Sequence, residues 1–172
     1  MTTPWTSDDL FQRLDELGIQ VETTEHEPVY TVEQSQAARG DLPGAHTKNL
    51  FLRNKKGQMW LVVVAEEKSV DLKALSASLN AGRLSFGSAD RLQRHLGIIP
   101  GAVTPFAVCN DAAGSVQLVI DAPLLEVELL HCHPLENDKT TAIAPNDLVR
   151  FAEACAHAPQ VITVPERAAA HP

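Results

Sequence analysis

Hydrophobic positions along this chain change period several times, and each change marks an element. Leu10, Phe11, Leu14 and Leu17 recur at helical spacing. Ser7 stands ahead of them as a cap, Asp8 and Asp9 fill the first turn, and Gly18 supplies a stop. A short strand over residues 19–23 is expected next. In HEPVYTVEQSQAARG, Thr31 followed by Gln34 forms a capping-box pattern, and Gly40 ends the helix it predicts.

The pattern then becomes β-like. KNLFLR and QMWLVVVAE are two strand-forming runs separated by NKKG, whose glycine suits a hairpin turn. MWLVVVA is apolar at both parities, which predicts a strand covered on both faces. Asp71 and Ser88 cap two short amphipathic helices that end near Gly82 and Gly97. Beyond the loop IIPGAVTPF, FAVCN and SVQLVID predict a second hairpin through DAAG, and VELLHCH a further strand. Pro145 opens the last long helix, with Leu148, Phe151, Ala152 and Cys155 on one face, and QVITV is a closing strand.

Hairpins interleaved with helices argue against a purely parallel, doubly wound sheet. The expected fold class is α+β: a mixed, curved, largely antiparallel sheet of six to seven strands surrounded by helices. At 172 residues the chain reads as a single domain over 1–165, with a loose tail over 166–172.

Composition narrows the function classes. The net charge of −8 argues against a broad nucleic-acid-binding face. It leaves room for a local basic grip by Lys48, Arg53, Lys55 and Lys56, extended by Arg83, Arg91, Arg94 and Lys139. Three cysteines without CxxC spacing suit buried thiols better than a disulfide framework. The N-terminal stretch lacks the pattern of a signal peptide, and the longest apolar run is too short to cross a bilayer. A cytoplasmic protein is expected.

There is no nucleophile elbow, Walker loop, dinucleotide fingerprint or HExxH. Three local features carry the candidate chemistry. Lys48 stands at the mouth of an apolar strand, where its ammonium could be solvated or could overhang a pocket and meet a phosphate or carbonyl. In PGAVTPF, Gly101 permits close backbone approach, and the Ala102 and Val103 amides could face an oxyanion. In HCHPLEN, His131 and His133 share a strand face, yet two histidines without a well-spaced third ligand make a poor metal site. No metal or other cofactor is expected. His26, His95, His157 and His171 read as ordinary loop, helix or tail residues.

Taken in order, HEPVYTVEQS, HTKNLFLR, LSF, PGAVTPF and HPLEN resemble the YbaK/ProX family of freestanding aminoacyl-tRNA deacylases. These are similar to the editing domain of bacterial prolyl-tRNA synthetases. The KNLFLR and HPLEN segments lean toward the ProX branch, which implies hydrolysis of Ala-tRNA(Pro). The resemblance implies Lys48 as the key catalytic-site residue and Gly101 as the glycine of a GxxxP loop ending at Pro105. It also implies His133 as a residue holding the aminoacyl group, and Asn137 as the asparagine of the HPLEN motif. The implied partner is the acceptor end of a misacylated tRNA, with neither DNA nor membrane, and weak association with prolyl-tRNA synthetase is left open. Specificity for cysteinyl or seryl esters, or a non-catalytic tRNA- or synthetase-binding module, are the alternatives.

The implied chemistry suits these residue types. An aminoacyl ester is already activated, so its hydrolysis needs positioning and oxyanion stabilisation more than a strong nucleophile. A synthetase pocket built for proline cannot strongly reject alanine, because a missing methylene is worth only about 1–3 kcal/mol. A second sieve answers that need.

Overall fold

A computed structural model describes residues 3–28 and 44–168. Helix α1 (Ser7–Glu16) begins one residue earlier in its cap than expected. Thr6 is the N-cap: its hydroxyl accepts from the Asp9 amide at 3.2 Å, and the Asp9 carboxylate accepts from the Thr6 amide at 2.9 Å. The reciprocal pair decides between two chemically similar caps. Ser7 is instead buried in the first turn, where its hydroxyl donates to the Pro134 carbonyl at 2.8 Å.

The first strand, β1 (Glu22–Glu25), starts later than the 19–23 expectation, because Ile19 is buried and its amide bonds back to Leu14. The helix expected from Thr31, Gln34 and Gly40 lies outside the described residues.

The hairpin expected around NKKG forms as drawn. Strands β2 (Ala45–Arg53) and β3 (Met59–Ala65) pair antiparallel from Thr47↔Ala65 to Arg53↔Met59. Asn54 closes the turn: its Oδ1 accepts from the Lys56 and Gln58 amides, and its Nδ2 donates to the Ala81 carbonyl. Gly57 takes φ +81°, the conformation that its place in the turn demands.

The two parities of β3 feed two different cores. Met59, Leu61 and Val63 join Leu10, Leu14, Phe106, Leu148 and Phe151 on one side of the sheet. Trp60, Val62 and Val64 join Leu52, Leu75 and Val164 on the other. A strand buried on both faces has no polar parity, and none is present in its sequence.

Helices α2 (Leu72–Ser78) and α3 (Ala89–Leu96) carry the expected caps, Asp71 and Ser88. The two-residue strand β4 (Ser85–Phe86) between them pairs with β2. FAVCN is not a strand and the second hairpin does not exist. Pro105–Asn110 forms a 3₁₀ turn, opened by Pro105 and capped by Thr104. Phe106, Ala107 and Val108 are all buried there, so a short apolar run with no exposed side gave no period to separate the two states.

Strands β5 (Val116–Asp121) and β6 (Leu130–Cys132) match expected runs, though the second is shorter than VELLHCH. Strand β7 (Lys139–Ile143) had no counterpart in the sequence reading. Helix α4 (Pro145–Ala154) and strand β8 (Gln160–Ile162) close the chain as expected. Backbone pairing continues to Arg167, whose amide donates to Ser69, so the first residues of the expected tail are tied down.

The sheet order is β1-β7-β6-β2-β3-β5-β8, with β4 also on β2. Pairs β1–β7, β6–β7, β2–β3 and β2–β4 are antiparallel, while β2–β6, β3–β5 and β5–β8 are parallel. The fold is a mixed α+β sheet with helices packed against it, as expected. One consequence matters for function. On the edge away from β3, β2 meets β6 only at Ala45 and His46, and β4 only at Leu52 and Arg53. Among the described residues no strand pairs with the middle of that edge. No helix there is long and apolar enough to cross a membrane.

Candidate active site

The interrupted edge of β2 is where the sequence motifs converge. Lys48 lies on β2 opposite Val64, half-buried, and strand alternation puts it on the face of Leu50 and Leu52. Among the described residues no carboxylate forms an ion pair with its ammonium. Asn49 lies on the opposite face. Its Nδ2 donates to the Val103 carbonyl at 3.0 Å, which ties β2 to the PGAVTPF loop. Its Oδ1 is buried and has no hydrogen-bond partner. Such an orphaned acceptor costs stability unless something meets it.

Asn49 lines a small cavity of about 20 Å³ with His46, Thr47, His131, Cys132, His133 and Thr140. His133 comes from the loop after β6. A carbonyl can only accept, so the 2.8 Å contact between His133 Nδ1 and the Lys139 carbonyl puts the proton on Nδ1. Burial, reinforced by the neighbouring His26, holds its pKa below the ordinary value against the opposing pull of the Lys139 carbonyl and Asp138. The neutral ring therefore presents Nε2 as an acceptor.

The Cys132 thiol also lines the cavity, but burial pushes its pKa up to about 12 despite a contact with Thr47. It is a neutral thiol, unsuited to act as a nucleophile. Thr47 itself donates to the His131 carbonyl at 2.8 Å. His131 stacks on His46 with ring centroids 4.4 Å apart. Gly44 makes that stack possible, since a Cβ there would come within 2.7 Å of the His131 ring. Among the described residues no group of three or more metal-ligating side chains converges.

Of the expected site residues, His133 lines this cavity, whereas Lys48, Gly101, Ala102, Val103 and Asn137 do not. Val103 is joined to it through Asn49. Gly101 lies half-exposed in a 3₁₀ turn, Pro100–Ala102. The Ala102 amide is already donated to the Ile99 carbonyl at 2.9 Å, and Ala102 is buried, so this amide is committed within its turn. Asn137 is buried in the HPLEN loop.

Sequence reasoning passed over three cavity residues or supports. Asn49 had a legible signal, a lone amide between Thr47 and Phe51 on a face that becomes core. Thr140 had none, because its strand was not foreseen. His26 was read as an ordinary loop residue, yet its Nε2 lies 2.8 Å from the Thr140 hydroxyl and its ring tilts against His133 at 6.1 Å. His157 is not ordinary either: it forms a buried pair with Asp111 at 2.9 Å, remote from the cavity in sequence and in lining.

Comparison with known proteins places this geometry in a family. A family model for the aminoacyl-tRNA editing domain matches residues 26–151. The chain is 39% identical over 143 residues to the prolyl-tRNA editing protein ProX of Acetoanaerobium sticklandii, covering 83% of this chain and 87% of that protein. It is 35% identical over 160 residues to prolyl-tRNA synthetase associated domain-containing protein 1 of Mus musculus, covering 90% and 94% respectively. A solved structure described as a candidate trans-editing enzyme for prolyl-tRNA synthetase shares the fold. Its TM-score is 0.72 at 18% identity, over 95% of this chain and 99% of that one. The match across the motif-bearing region, from His26 to the last helix, makes this chain a member of the aminoacyl-tRNA editing domain family.

Proposed function

We propose that this protein hydrolyses the ester bond of misacylated tRNA(Pro), with alanine as the amino acid removed. The observation that carries the reading is the interrupted edge of β2. There a lysine without an ion-pair partner among the described residues lies on one face, and the cavity lined by Asn49, His133 and Thr140 lies on the other. A substrate entering at that edge meets both. The resemblance to ProX supports tRNA(Pro) as the carrier.

In this reading Lys48 engages the terminal adenosine phosphate or the ester carbonyl as negative charge develops. Of the two amides expected at the oxyanion, Ala102's is held by Ile99, which leaves the Val103 amide as the donor. Water attacks the carbonyl carbon, and the tetrahedral intermediate collapses by expelling the ribose oxygen, which takes up a proton. His133 orients the aminoacyl end through Nε2. Gly101 allows the loop close to the substrate, and Asn137, buried in the HPLEN loop, supports the substrate-binding end of that motif.

The tRNA body needs a separate grip. Lys55, Lys56 and Arg83 are exposed around a cavity of about 370 Å³ beside the β2–β3 turn, which suits phosphate contacts in an otherwise acidic protein. Weak, salt-sensitive association with tRNA follows, and prolyl-tRNA synthetase is a second partner in this reading.

A deacylation panel tests the proposal. Alanyl-, cysteinyl-, seryl- and prolyl-tRNA(Pro) are incubated with the protein and with Lys48→Ala. Selective release of alanine, lost in the variant with its circular dichroism unchanged, is expected. Retention of every ester by the unmodified protein, with tRNA still bound, would replace the enzyme by a binding module.

A further inference from the structure

Three of the side chains lining the cavity beside Asn49 share a polarity that follows from hydrogen-bond accounting. His26 Nδ1 lies 2.8 Å from the Glu27 carbonyl, which can only accept, so the proton sits on Nδ1. In that tautomer Nε2 carries a lone pair, and the Thr140 hydroxyl, 2.8 Å away, donates to it. With its proton spent on His26, the Thr140 oxygen keeps lone pairs, and the residue lines the cavity. His133 has reached the same state by donating Nδ1–H to the Lys139 carbonyl. Asn49 has reached it too, by giving Nδ2–H to the Val103 carbonyl and leaving Oδ1 unmet.

Three side chains from β2, the HPLEN loop and β7 have thus each placed a proton elsewhere, keep an acceptor atom, and line one space. That space is about 20 Å³, enough for a single group the size of an ammonium or a water and no more. Three acceptors around one space favour a donor, and together they favour a cation over a neutral group.

We propose that this cavity binds the α-ammonium of the aminoacyl ester, with Thr140 as a specificity-determining residue and His26 as the positioning residue that orients it. The inference rests on the ester-hydrolase reading above and deepens it. It gives the enzyme a criterion independent of the amino-acid side chain. A free α-ammonium donates three protons to the three acceptors, whereas an N-acylated chain offers one N–H, no charge and a bulk the cavity cannot hold. Esters of peptidyl- or N-blocked tRNA are therefore spared, and the register of the bound ammonium sets where the carbonyl lies relative to the Val103 amide.

The test compares alanyl-tRNA(Pro) with its isostere lactyl-tRNA(Pro), in which a hydroxyl replaces the ammonium, and with N-acetylalanyl-tRNA(Pro). Each kcat/KM is divided by the spontaneous hydrolysis rate of the same ester, because the ammonium itself activates the carbonyl. The expected preference for alanyl over lactyl is about 10- to 100-fold, the worth of hydrogen bonds to a charged group, with N-acetylalanyl inert. Thr140→Val, which keeps the shape and removes the acceptor, should bring the alanyl-to-lactyl ratio near one. His26→Phe should lower the ratio in the same way, and His26→Gln, which can keep an acceptor toward Thr140, should restore part of it.

A ratio near one in the unmodified protein overturns the inference while leaving the deacylase intact. A high ratio unchanged by Thr140→Val overturns the assignment to Thr140. Equal losses on alanyl and lactyl esters in that variant show that the cavity holds the attacking water instead, which also overturns it. Absence of alanyl hydrolysis in the unmodified protein is a separate failure, that of the enzyme reading itself.

Discussion

His133 and His157 are the same residue in opposite states. At His157, Nδ1 meets the Cys155 carbonyl at 2.7 Å and Nε2 meets the Asp111 carboxylate at 2.9 Å. Both partners only accept, so both nitrogens carry protons and the ring is a cation. The bond to Asp111 raises its pKa despite burial. Burial alone would raise the Asp111 pKa, but the His157 bond and the Val116 and Ser115 amides outweigh it and hold the carboxyl below its ordinary range. Nothing there is left unsatisfied. His133 has one satisfied nitrogen and one facing a cavity, beside an amide oxygen with no partner at all. A saturated buried network stabilises a fold, whereas an unsaturated one costs stability and is explained by a ligand.

The contrast can be broken most severely at its structural end. Asp111→Ala leaves a buried imidazolium without its counter-charge, and urea denaturation should show a loss of about 3–5 kcal/mol. The molecules that stay folded should keep kcat/KM, since neither residue lines the cavity. At the other end, Lys48→Met should lower kcat/KM for alanyl-tRNA(Pro) by about 100- to 1,000-fold, the range for losing one donor to a developing oxyanion. Its melting temperature should hold, because the half-buried ammonium has no ion pair to lose among the described residues.

Acidity sharpens the comparison further. Protonating His133 removes its Nε2 acceptor, so kcat/KM should fall on the acid side with an apparent pKa below the ordinary histidine value of 6.5. His133→Gln should abolish that limb. Stability responds in the opposite sense. The folded-state pKa of His157 is raised, so its contribution is complete below 6.5 and disappears as pH climbs through the raised value. Asp111 is depressed, so its contribution is complete above the ordinary 3.8 and disappears as pH falls through the lowered value. From this pair alone the melting temperature should plateau between about pH 4 and 6.5 and decline on the alkaline side, while His133, whose pKa is lowered, subtracts stability as pH falls below 6.5. His157→Gln should remove that alkaline decline. The smallest effect is expected at Ser7→Ala, which cuts the hydroxyl's ties to the Pro134 carbonyl and the Glu136 carboxylate and should cost about 1–2 kcal/mol by thermal melting.

Much of this protein follows from local rules. The NKKG hairpin, the two-sided strand MWLVVVA, the Asp71 and Ser88 caps and the start at Pro145 depend on interactions within a few residues, and period and turn chemistry report them directly. The ordered motifs pointed to the editing family for the same reason: each is a contiguous stretch. FAVCN, β7 and the cap at Thr6 were misread or missed where competing local options were nearly equal in energy and burial decided between them.

The site belongs to the other class. Thr140 donates to a histidine 114 residues away, and Asn49 is held by a carbonyl 54 residues away. Which polar atoms are already satisfied, and which line a cavity without a partner, depends on residues that only the tertiary fold brings together, beside a β2 edge whose middle no strand pairs with among the described residues. The sequence by itself determined the elements and the family, because those rest on local periodicity and contiguous motifs. The direction of each proton around the cavity was decided by the tertiary structure alone, since a hydrogen bond is a property of a pair.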